Sequence, residues 1–120
     1  MSKKILVVDD DESILEAVSL VLREEGYNVA TNMKSESVYQ EVESFKPNAI
    51  ILDVLLSGND GRTICKNLKA DEKTKDIPII MVSAHPSAEE GIQKYGADDF
   101  LAKPFQLEDL LEKVEKFARA

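Results

Sequence analysis

The amino acids at positions 49–61 are AIILDVLLSGNDG. Four apolar residues run without alternation into the carboxylate of Asp53, and a turn-rich stretch with two glycines follows. An unbroken apolar run of this kind predicts a strand that is buried on both faces. The turn residues predict that the strand ends there. We therefore expect Asp53 to lie at the carboxyl end of a central strand, where it is not an ordinary surface charge.

The composition limits the class of protein. The chain has 120 residues, of which 43% are hydrophobic and 32% are charged, and we expect one domain over residues 1–120. No apolar run approaches the ~20 residues of a membrane helix, and the N-terminus lacks a signal-peptide pattern, which predicts a soluble cytoplasmic protein. A single cysteine excludes an internal disulfide, and a single histidine argues against a zinc site.

The net charge bears on the partners. The formal charge is −8, which disfavours binding to nucleic acid or anionic membranes, because neutralising phosphates requires a concentrated basic face. We therefore expect no nucleic acid and no membrane among the partners, and we expect the partners to be other proteins.

Three further apolar runs also end in polar residues. Asp9 and Asp10 follow the first run, Ser83 ends the run that begins at Ile77, and Lys103 follows the last run. A fifth stretch, residues 27–31, is half polar, as is typical of an edge strand. Apolar residues at helical spacing predict helices between and after these strands. The predicted helices begin near Glu12, Ser35, Gly61, Ser87 and Leu107. We expect Asp10 or Asp11 to cap the first helix, Ser35 to cap the second, and Ser87 with Glu90 to form a capping box at the fourth.

Five strands that alternate with five helices require a mainly parallel sheet with right-handed crossovers and helices on both faces. The predicted fold is therefore a three-layer, doubly wound (βα)5 domain of the α/β class. In such a sheet the carboxyl ends of the strands lie along one edge, where ligands bind. The residues expected at this edge are Asp9, Asp10, Asp53, Ser83 and Lys103.

These residue types together favour phosphoryl chemistry. Crowded carboxylates repel one another unless a cation lies among them, and an all-oxygen cluster suits Mg²⁺. Asp53 would act as a carboxylate nucleophile and form an acyl phosphate, bridged to Mg²⁺. Lys103 and Ser83 would hold the remaining phosphoryl oxygens.

Simpler interpretations exist for each residue. Asp9 and Asp10 could cap the first helix together with Asp11, and Ser83 could cap the next segment. Asp53 could be a turn residue, and Lys103 could be a solvated loop lysine. The matching positions at strand ends favour the site. We leave His85, the only histidine, out of catalysis.

Four motifs carry a resemblance to a known family. Ile5–Asp10, residues 53–61, Val82-Ser83-Ala84 and Lys103-Pro104-Phe105 resemble the receiver (phosphoacceptor) domain of two-component response regulators. The match covers essentially the whole chain. It implies a flavodoxin-like, CheY-like fold with strand order 2-1-3-4-5, Mg²⁺ as cofactor and phosphorylation at Asp53.

The resemblance also implies individual roles. Asp10 is the direct metal ligand assisted by Asp9, and Asp53 and the backbone carbonyl of Leu55 complete the metal set. The phosphate contacts are Ser83, the backbone of Ala84 and Lys103. Ser83 and Phe100 form the switch pair.

The implied partners are proteins. A sensor histidine kinase or a histidine phosphotransfer protein would donate the phosphoryl group. A downstream target would bind the face of the fourth helix, the fifth strand and the last helix. We expect a monomer or weak dimer that is not an enzyme, beyond assisting its own phosphorylation and dephosphorylation. The chain stops after the last helix, which predicts a stand-alone receiver without an output domain, unless it is a fragment.

Two departures from the family pattern stand near Asp53. Apolar Leu55 cannot orient an attacking water molecule, so we expect slow self-dephosphorylation. The sequence Leu56-Ser57-Gly58 stands where receivers often carry Met-Pro-Gly, which predicts a looser loop.

Three rival functions fit a fold of this class. A haloacid-dehalogenase-type phosphatase would need an aspartate at the position of Leu55. A flavodoxin-like electron carrier is disfavoured because Asp9 to Asp11 would repel the flavin phosphate. A receiver-shaped docking module that is never phosphorylated remains open.

Overall fold

A computed structural model of the chain describes residues 2–56, 59–85 and 91–118. In chain order the strands are β1 (Lys4–Val8), β2 (Asn28–Asn32), β3 (Ala49–Asp53), β4 (Leu55–Leu56), β5 (Asn59–Asp60), β6 (Ile79–Ser83) and β7 (Asp99–Ala102). The helices are α1 (Glu12–Glu24), α2 (Val38–Phe45), α3 (Gly61–Ala70) and α4 (Leu107–Ala118). Two short 3-10 segments cover Ser35–Ser37 and Ile92–Tyr95.

The main sheet has five parallel strands in the order β2-β1-β3-β6-β7. These five strands are the predicted ones, so the expected order 2-1-3-4-5 is confirmed. The central strands β1 and β3 are direct neighbours, with Val8 opposite Leu52. This pairing brings the residues that end the two strands to the same edge of the sheet.

Both faces of the sheet are covered, which explains the unbroken apolar runs. Successive side chains of a strand point to opposite faces. Leu6 and Leu52 therefore pack towards α2 and α3, and Ile5 and Ile51 pack towards α1 and α4. Burying one such side chain stabilises the fold by about 1.5–3 kcal/mol. The two-sided burial confirms the three-layer prediction.

The first helix begins and ends as its sequence indicates. Asp11 caps α1, because its carboxylate accepts hydrogen bonds from the backbone N–H groups of Ser13 and Ile14. Gly26 has a φ of +93°, which suits a glycine at the end of a helix. The capping role that the sequence left open between Asp10 and Asp11 therefore belongs to Asp11.

The second helix differs from its prediction. Ser35 was expected to cap it, but residues 35–37 form a 3-10 turn and α2 begins only at Val38. Ser35 is buried, and its hydroxyl accepts a hydrogen bond from the side chain of Asn59 instead. The cap prediction was wrong because a contact distant in sequence takes this hydroxyl.

Two predicted features lie outside the described residues. They are the capping box of Ser87 and Glu90 and the loop residues 57 and 58. In the described part that follows, Gly91 is helical and the 3-10 segment leads into β7. Among the helices of the described ranges, none combines the length and the apolar character needed to cross a bilayer.

Candidate functional site

Asp9 and Asp53 lie side by side at the end of the two central strands. Asp9 directly follows β1 and is 3% exposed, while Asp53 ends β3 and is 5% exposed. The backbone N–H of Asp9 donates to the carbonyl oxygen of Asn32, at 3.1 Å. The Asp9 carboxylate also accepts the N–H of Asp11, at 2.9 Å. Backbone hydrogen bonds thus hold Asp9 and its carboxylate in place.

Asp10 completes a cluster of three carboxylates. One oxygen atom from each of Asp9, Asp10 and Asp53 lies within 4.8 Å of the other two. Asp10 is exposed, which leaves one side of the cluster accessible to solvent. A donor set of carboxylate oxygens with access to water fits a hard divalent cation such as Mg²⁺. The structure therefore confirms that the three predicted acids converge.

Lys103 reaches the same cluster from the end of the last strand. Its Nζ atom lies 2.9 Å from Oδ2 of Asp9 and 3.0 Å from Oδ2 of Asp53, and its side chain is 17% exposed. Its backbone N–H donates to the carbonyl of Ser83, at 2.9 Å, which ties the ends of β6 and β7 together. The solvated-loop interpretation of Lys103 is therefore excluded.

The pKa shifts follow from the charge balance of the cluster. Burial raises the pKa of Asp53, and the hydrogen bond from Lys103 opposes this effect. Burial would lower the pKa of Lys103, but the hydrogen bonds to Asp9 and Asp53 and the negative charges of these two residues together outweigh burial, so that this pKa is raised. Three carboxylates face one ammonium group, and a bound divalent cation would relieve the excess negative charge.

Ser83 lies at the same edge of the sheet. It ends β6, is 1% exposed, and follows Val82, which pairs with Asp53 across the sheet. Its hydroxyl accepts a hydrogen bond from the backbone N–H of His85, at 3.0 Å. Ala84, between them, is exposed. Ser83 therefore lies at the sheet edge that its sequence position predicts, and phosphate contact by Ser83 and Ala84 stays a prediction.

A short hairpin that sequence reasoning missed follows Asp53. Strands β4 and β5 pair with Leu55 opposite Asp60, and two-residue strands leave no periodic signal in a sequence. The N–H of Leu55 donates to Oδ1 of Asp53, at 3.3 Å, while its side chain is 61% exposed. The role of its backbone carbonyl as a metal ligand stays a prediction.

Gly61 allows the hairpin to return against Asp53. Its N–H donates to the carbonyl of Val54, at 2.6 Å. A Cβ atom at this position would overlap the carbonyl oxygen of Asp53 and lie 3.1 Å from Cα of Val54. Only glycine permits this close approach of two backbone segments, so the start of α3 is locked to the strand that carries Asp53.

A family model described as the response regulator receiver domain matches residues 5–115. The chain belongs to this family. It is 37% identical to the DNA-binding dual master transcriptional regulator RpaA of Synechocystis sp.. The matched region covers 97% of this chain and 49% of RpaA. This receiver domain spans about half the length of the curated relatives it matches.

Solved structures show the same fold. The chemotaxis protein CheY4 of Vibrio cholerae is 28% identical, with a TM-score of 0.90 over 98% of this chain and 99% of that one. The receiver domain of the sensor histidine kinase PA1611 of Pseudomonas aeruginosa PAO1 is 24% identical, with a TM-score of 0.88 over 100% of both chains. That structure contains a magnesium ion coordinated in its active-site cleft.

The predicted switch residue of the receiver domain is part of its core. Phe100 is 9% exposed and packs in the apolar cluster on the α2 and α3 side of the sheet. Its backbone N–H donates to Oδ1 of Asp99, at 2.7 Å. Oδ2 of Asp99 lies 2.9 Å from Nζ of Lys113 on α4. The ion pair of Asp99 and Lys113 joins β7 to α4 on the face where a downstream target was predicted to bind.

Proposed function

We propose that this receiver domain accepts a phosphoryl group on Asp53 from a phosphohistidine and controls its protein contacts by the charge it gains. The observation that carries the proposal is the contact of the Lys103 ammonium with the buried carboxylates of Asp9 and Asp53. In contact with one another, the ammonium and the two carboxylates form an electrostatic site that can hold a phosphoryl group.

The transfer step follows from the chemistry of the groups. A carboxylate oxygen of Asp53 attacks the phosphorus, so that a P–O bond forms while the P–N bond to the donor imidazole breaks. The electron pair of the broken bond stays on the imidazole nitrogen, which then takes a proton from water. The product is an acyl phosphate, and Lys103 is close enough to Asp53 to stabilise the phosphoryl oxygens.

The acid cluster supports Mg²⁺ as the cofactor. Asp9, Asp10 and Asp53 would hold it, with the Leu55 carbonyl as the further ligand that the family resemblance implies. Mg²⁺ bound there would offset the negative charge that otherwise opposes the approach of a phosphoryl donor. The magnesium of the PA1611 receiver, a protein of the same fold, is consistent with this assignment.

The donor is most simply another protein. An apolar pocket of about 420 Å³ opens beside Lys103, between Ile14 and Ala17 of α1 and the residues Pro104 and Phe105. Apolar surface at the rim of a charged site suits a protein better than a small free phosphate. We therefore assign the donor role to a sensor histidine kinase or a histidine phosphotransfer protein.

The output is a change in protein binding. The added phosphoryl charge would draw the Ser83 hydroxyl from the N–H of His85, and Phe100 would respond through its packing in the core. This shifts a pre-existing equilibrium of the face formed by β7 and α4. RpaA is a DNA-binding regulator, and binding to DNA by a longer protein that contains this domain is compatible with the proposal.

Mass spectrometry tests the proposal. The protein is incubated with acetyl phosphate and Mg²⁺, and the intact mass of wild type is compared with Asp53→Asn. The control is Asp76→Asn, which removes an exposed carboxylate from a loop. We expect wild type and the control to gain one phosphoryl group and Asp53→Asn to gain none.

The rival functions give other results in the same experiments. A docking module that is never phosphorylated would leave the wild-type mass unchanged with acetyl phosphate and with any phosphohistidine donor. A phosphatase would hydrolyse phosphomonoesters with turnover, whereas we expect none because Leu55 stands where a haloacid-dehalogenase-type phosphatase needs an aspartate. Either result would refute the proposed function.

A further inference from the structure

We propose that the side chains of Ser35 and Asn59 are positioning residues, and that their contact holds the β4–β5 hairpin where the acid cluster needs it to bind a divalent cation. The proposal deepens the proposed function and rests on it in that the cation is taken to be Mg²⁺. Neither residue belongs to the acid cluster, and the sequence pattern predicted Ser35 as a helix cap.

The contact joins two segments that are far apart in the chain. Nδ2 of Asn59 donates to Oγ of Ser35, at 2.5 Å, across a separation of 24 residues. Ser35 is only 4% exposed, which is unusual for a serine and shows that the turn is pressed against the rest of the domain. Asn59 lies in β5 and pairs with Leu56 of β4.

The turn that carries Ser35 is itself fixed by Asn32. Oδ1 of Asn32 accepts the N–H of Lys34, at 2.7 Å, and its Nδ2 donates to Oγ of Ser37, at 3.0 Å. The backbone carbonyl of Asn32 accepts the N–H of Asp9. Asn32 at the end of β2 therefore contacts both the residue after β1 and the turn, and the turn contacts the hairpin after β3 through Ser35.

A displacement of the hairpin would also move a hydrogen-bond donor of the Asp53 carboxylate. The N–H of Leu55, in the strand that pairs with Asn59, donates to Oδ1 of Asp53, at 3.3 Å. The backbone carbonyl of Leu55 is also the predicted further metal ligand. The Ser35–Asn59 contact thus restrains two groups that must converge on one ion, and ligands gain affinity when their supporting contacts hold them in place.

The role is separable from stability. Asn59 is exposed, so in Ser35→Ala water can replace the lost hydroxyl as the partner of its amide. Ser35→Ala should therefore unfold at the same midpoint as wild type. A hairpin with one restraint removed should bind Mg²⁺ about three- to tenfold more weakly, the range expected from the loss of one hydrogen bond to a supporting group.

Calorimetric titration with Mg²⁺ tests this on wild type, Ser35→Ala, Asn59→Ala and the double variant. The matched controls are Ser44→Ala and Asn67→Ala. The Ser44 hydroxyl donates to a backbone carbonyl on the exposed side of α2, and the Asn67 amide donates to the Tyr39 hydroxyl. We expect each single variant to bind Mg²⁺ about three- to tenfold more weakly, and the double variant no more weakly than either. The controls should match wild type.

Two further readouts distinguish positioning from a general loss of structure. The Mg²⁺ concentration for half-maximal acyl phosphate formation should rise in parallel, while the rate at saturating Mg²⁺ stays within about twofold of wild type. The unfolding midpoint of Ser35→Ala in EDTA should stay within about 2 °C of wild type. Additive effects in the double variant, or a lower midpoint with unchanged Mg²⁺ affinity, would overturn the proposal.

The outcome also separates this proposal from the proposed function. If wild type binds Mg²⁺ and Ser35→Ala weakens it, but no acyl phosphate forms, positioning stands and phosphoryl transfer fails. If wild type forms the acyl phosphate and both single variants bind Mg²⁺ as wild type does, positioning fails and the proposed function stands. Absence of Mg²⁺ binding by wild type would refute both.

Discussion

The ammonium group of Lys103 donates to Oδ2 of Asp53, at 3.0 Å, although the two residues are 50 positions apart in the chain. The same nitrogen lies 2.9 Å from Oδ2 of Asp9. In this arrangement the lysine partly neutralises the carboxylates that would hold a metal ion. Its ammonium and the ion would therefore share the same carboxylates, and the charge balance of the cluster can be tested by removing either cation.

Replacing Lys103 by methionine should separate stability from metal affinity. Without Mg²⁺, Lys103→Met leaves buried carboxylates without their cation and should lower the free energy of unfolding by about 2 kcal/mol, less than for a fully buried pair because Lys103 is 17% exposed. Mg²⁺ should bind about five- to tenfold more tightly, because a competing cation is gone. Urea unfolding in EDTA and calorimetric Mg²⁺ titration measure the two effects.

Lys113→Met is the matched control. It also removes a lysine from an ion pair with an aspartate, Asp99, but on the face formed by β7 and α4. It should leave Mg²⁺ affinity unchanged. Weaker Mg²⁺ binding in Lys103→Met would show that the lysine helps to assemble the metal site and does not compete for it.

The pH dependence of stability should differ between wild type and Asp53→Asn. The folded pKa of Asp53 is raised above the ordinary value of 3.8, so the folded state is favoured when this group is protonated. That contribution is present below pH 3.8 and is lost as the pH rises through the folded pKa. In EDTA, the stability of Asp53→Asn relative to wild type should therefore increase from pH 4 to pH 7.

Urea unfolding of both proteins at several pH values measures this difference. At neutral pH we expect the midpoint of thermal unfolding of Asp53→Asn to lie about 3–5 °C above wild type, the shift that about 1 kcal/mol produces in a domain of this size. Saturating Mg²⁺ should raise the wild-type midpoint much more than that of the variant. A stability difference that is constant with pH would refute the raised pKa.

Gly61→Ala should disturb the site through the backbone. A Cβ atom would overlap the carbonyl oxygen of Asp53, so α3 and β3 must separate. We expect a loss of about 2–4 kcal/mol of stability, measured by urea unfolding, and weaker Mg²⁺ binding. Gly91→Ala is the control, because the nearest atom to its Cβ would be in the Tyr95 ring, at an ordinary contact distance of 3.7 Å. A helical glycine replaced without a clash should leave stability equal or slightly higher.

Leu55 should prolong the lifetime of the acyl phosphate. Its side chain is apolar and 61% exposed beside Asp53, so it cannot orient a water molecule for attack on phosphorus. Leu55→Asn provides a polar group that can, and should shorten the lifetime by about three- to tenfold. The decay of phosphorylated protein is followed by intact mass after removal of acetyl phosphate. Leu20→Asn, an exposed leucine on α1, should have no effect, and a wild-type lifetime of only seconds would contradict the prediction.

The local pattern of apolar runs that end in polar residues explains why most of the site could be predicted. Asp53 follows an unbroken apolar run, and such a run forms a strand buried on both faces whose end lies at a defined edge. Asp9 and Lys103 follow similar runs. The strand order came from the family resemblance, because periodicity specifies elements and does not specify their neighbours in a sheet.

The wrong and missed features depend on contacts between distant segments. The Ser35 hydroxyl was assigned to a helix cap, but Asn59 occupies it. The β4–β5 hairpin was missed because its strands have two residues each. The requirement for glycine at position 61 depends on the carbonyl oxygen of Asp53, which lies in another element.

The sequence by itself determined the doubly wound α/β fold and the group of residues at the carboxyl edge of the sheet, because local hydrophobic pattern sets the strands and parallel strands bring their ends together. Only the tertiary structure decided that Lys103 contacts both Asp9 and Asp53 and that Ser35 contacts the hairpin. Long or small polar side chains can point to solvent or to a partner. Which of the two they do depends on distances across the folded chain that no local pattern records.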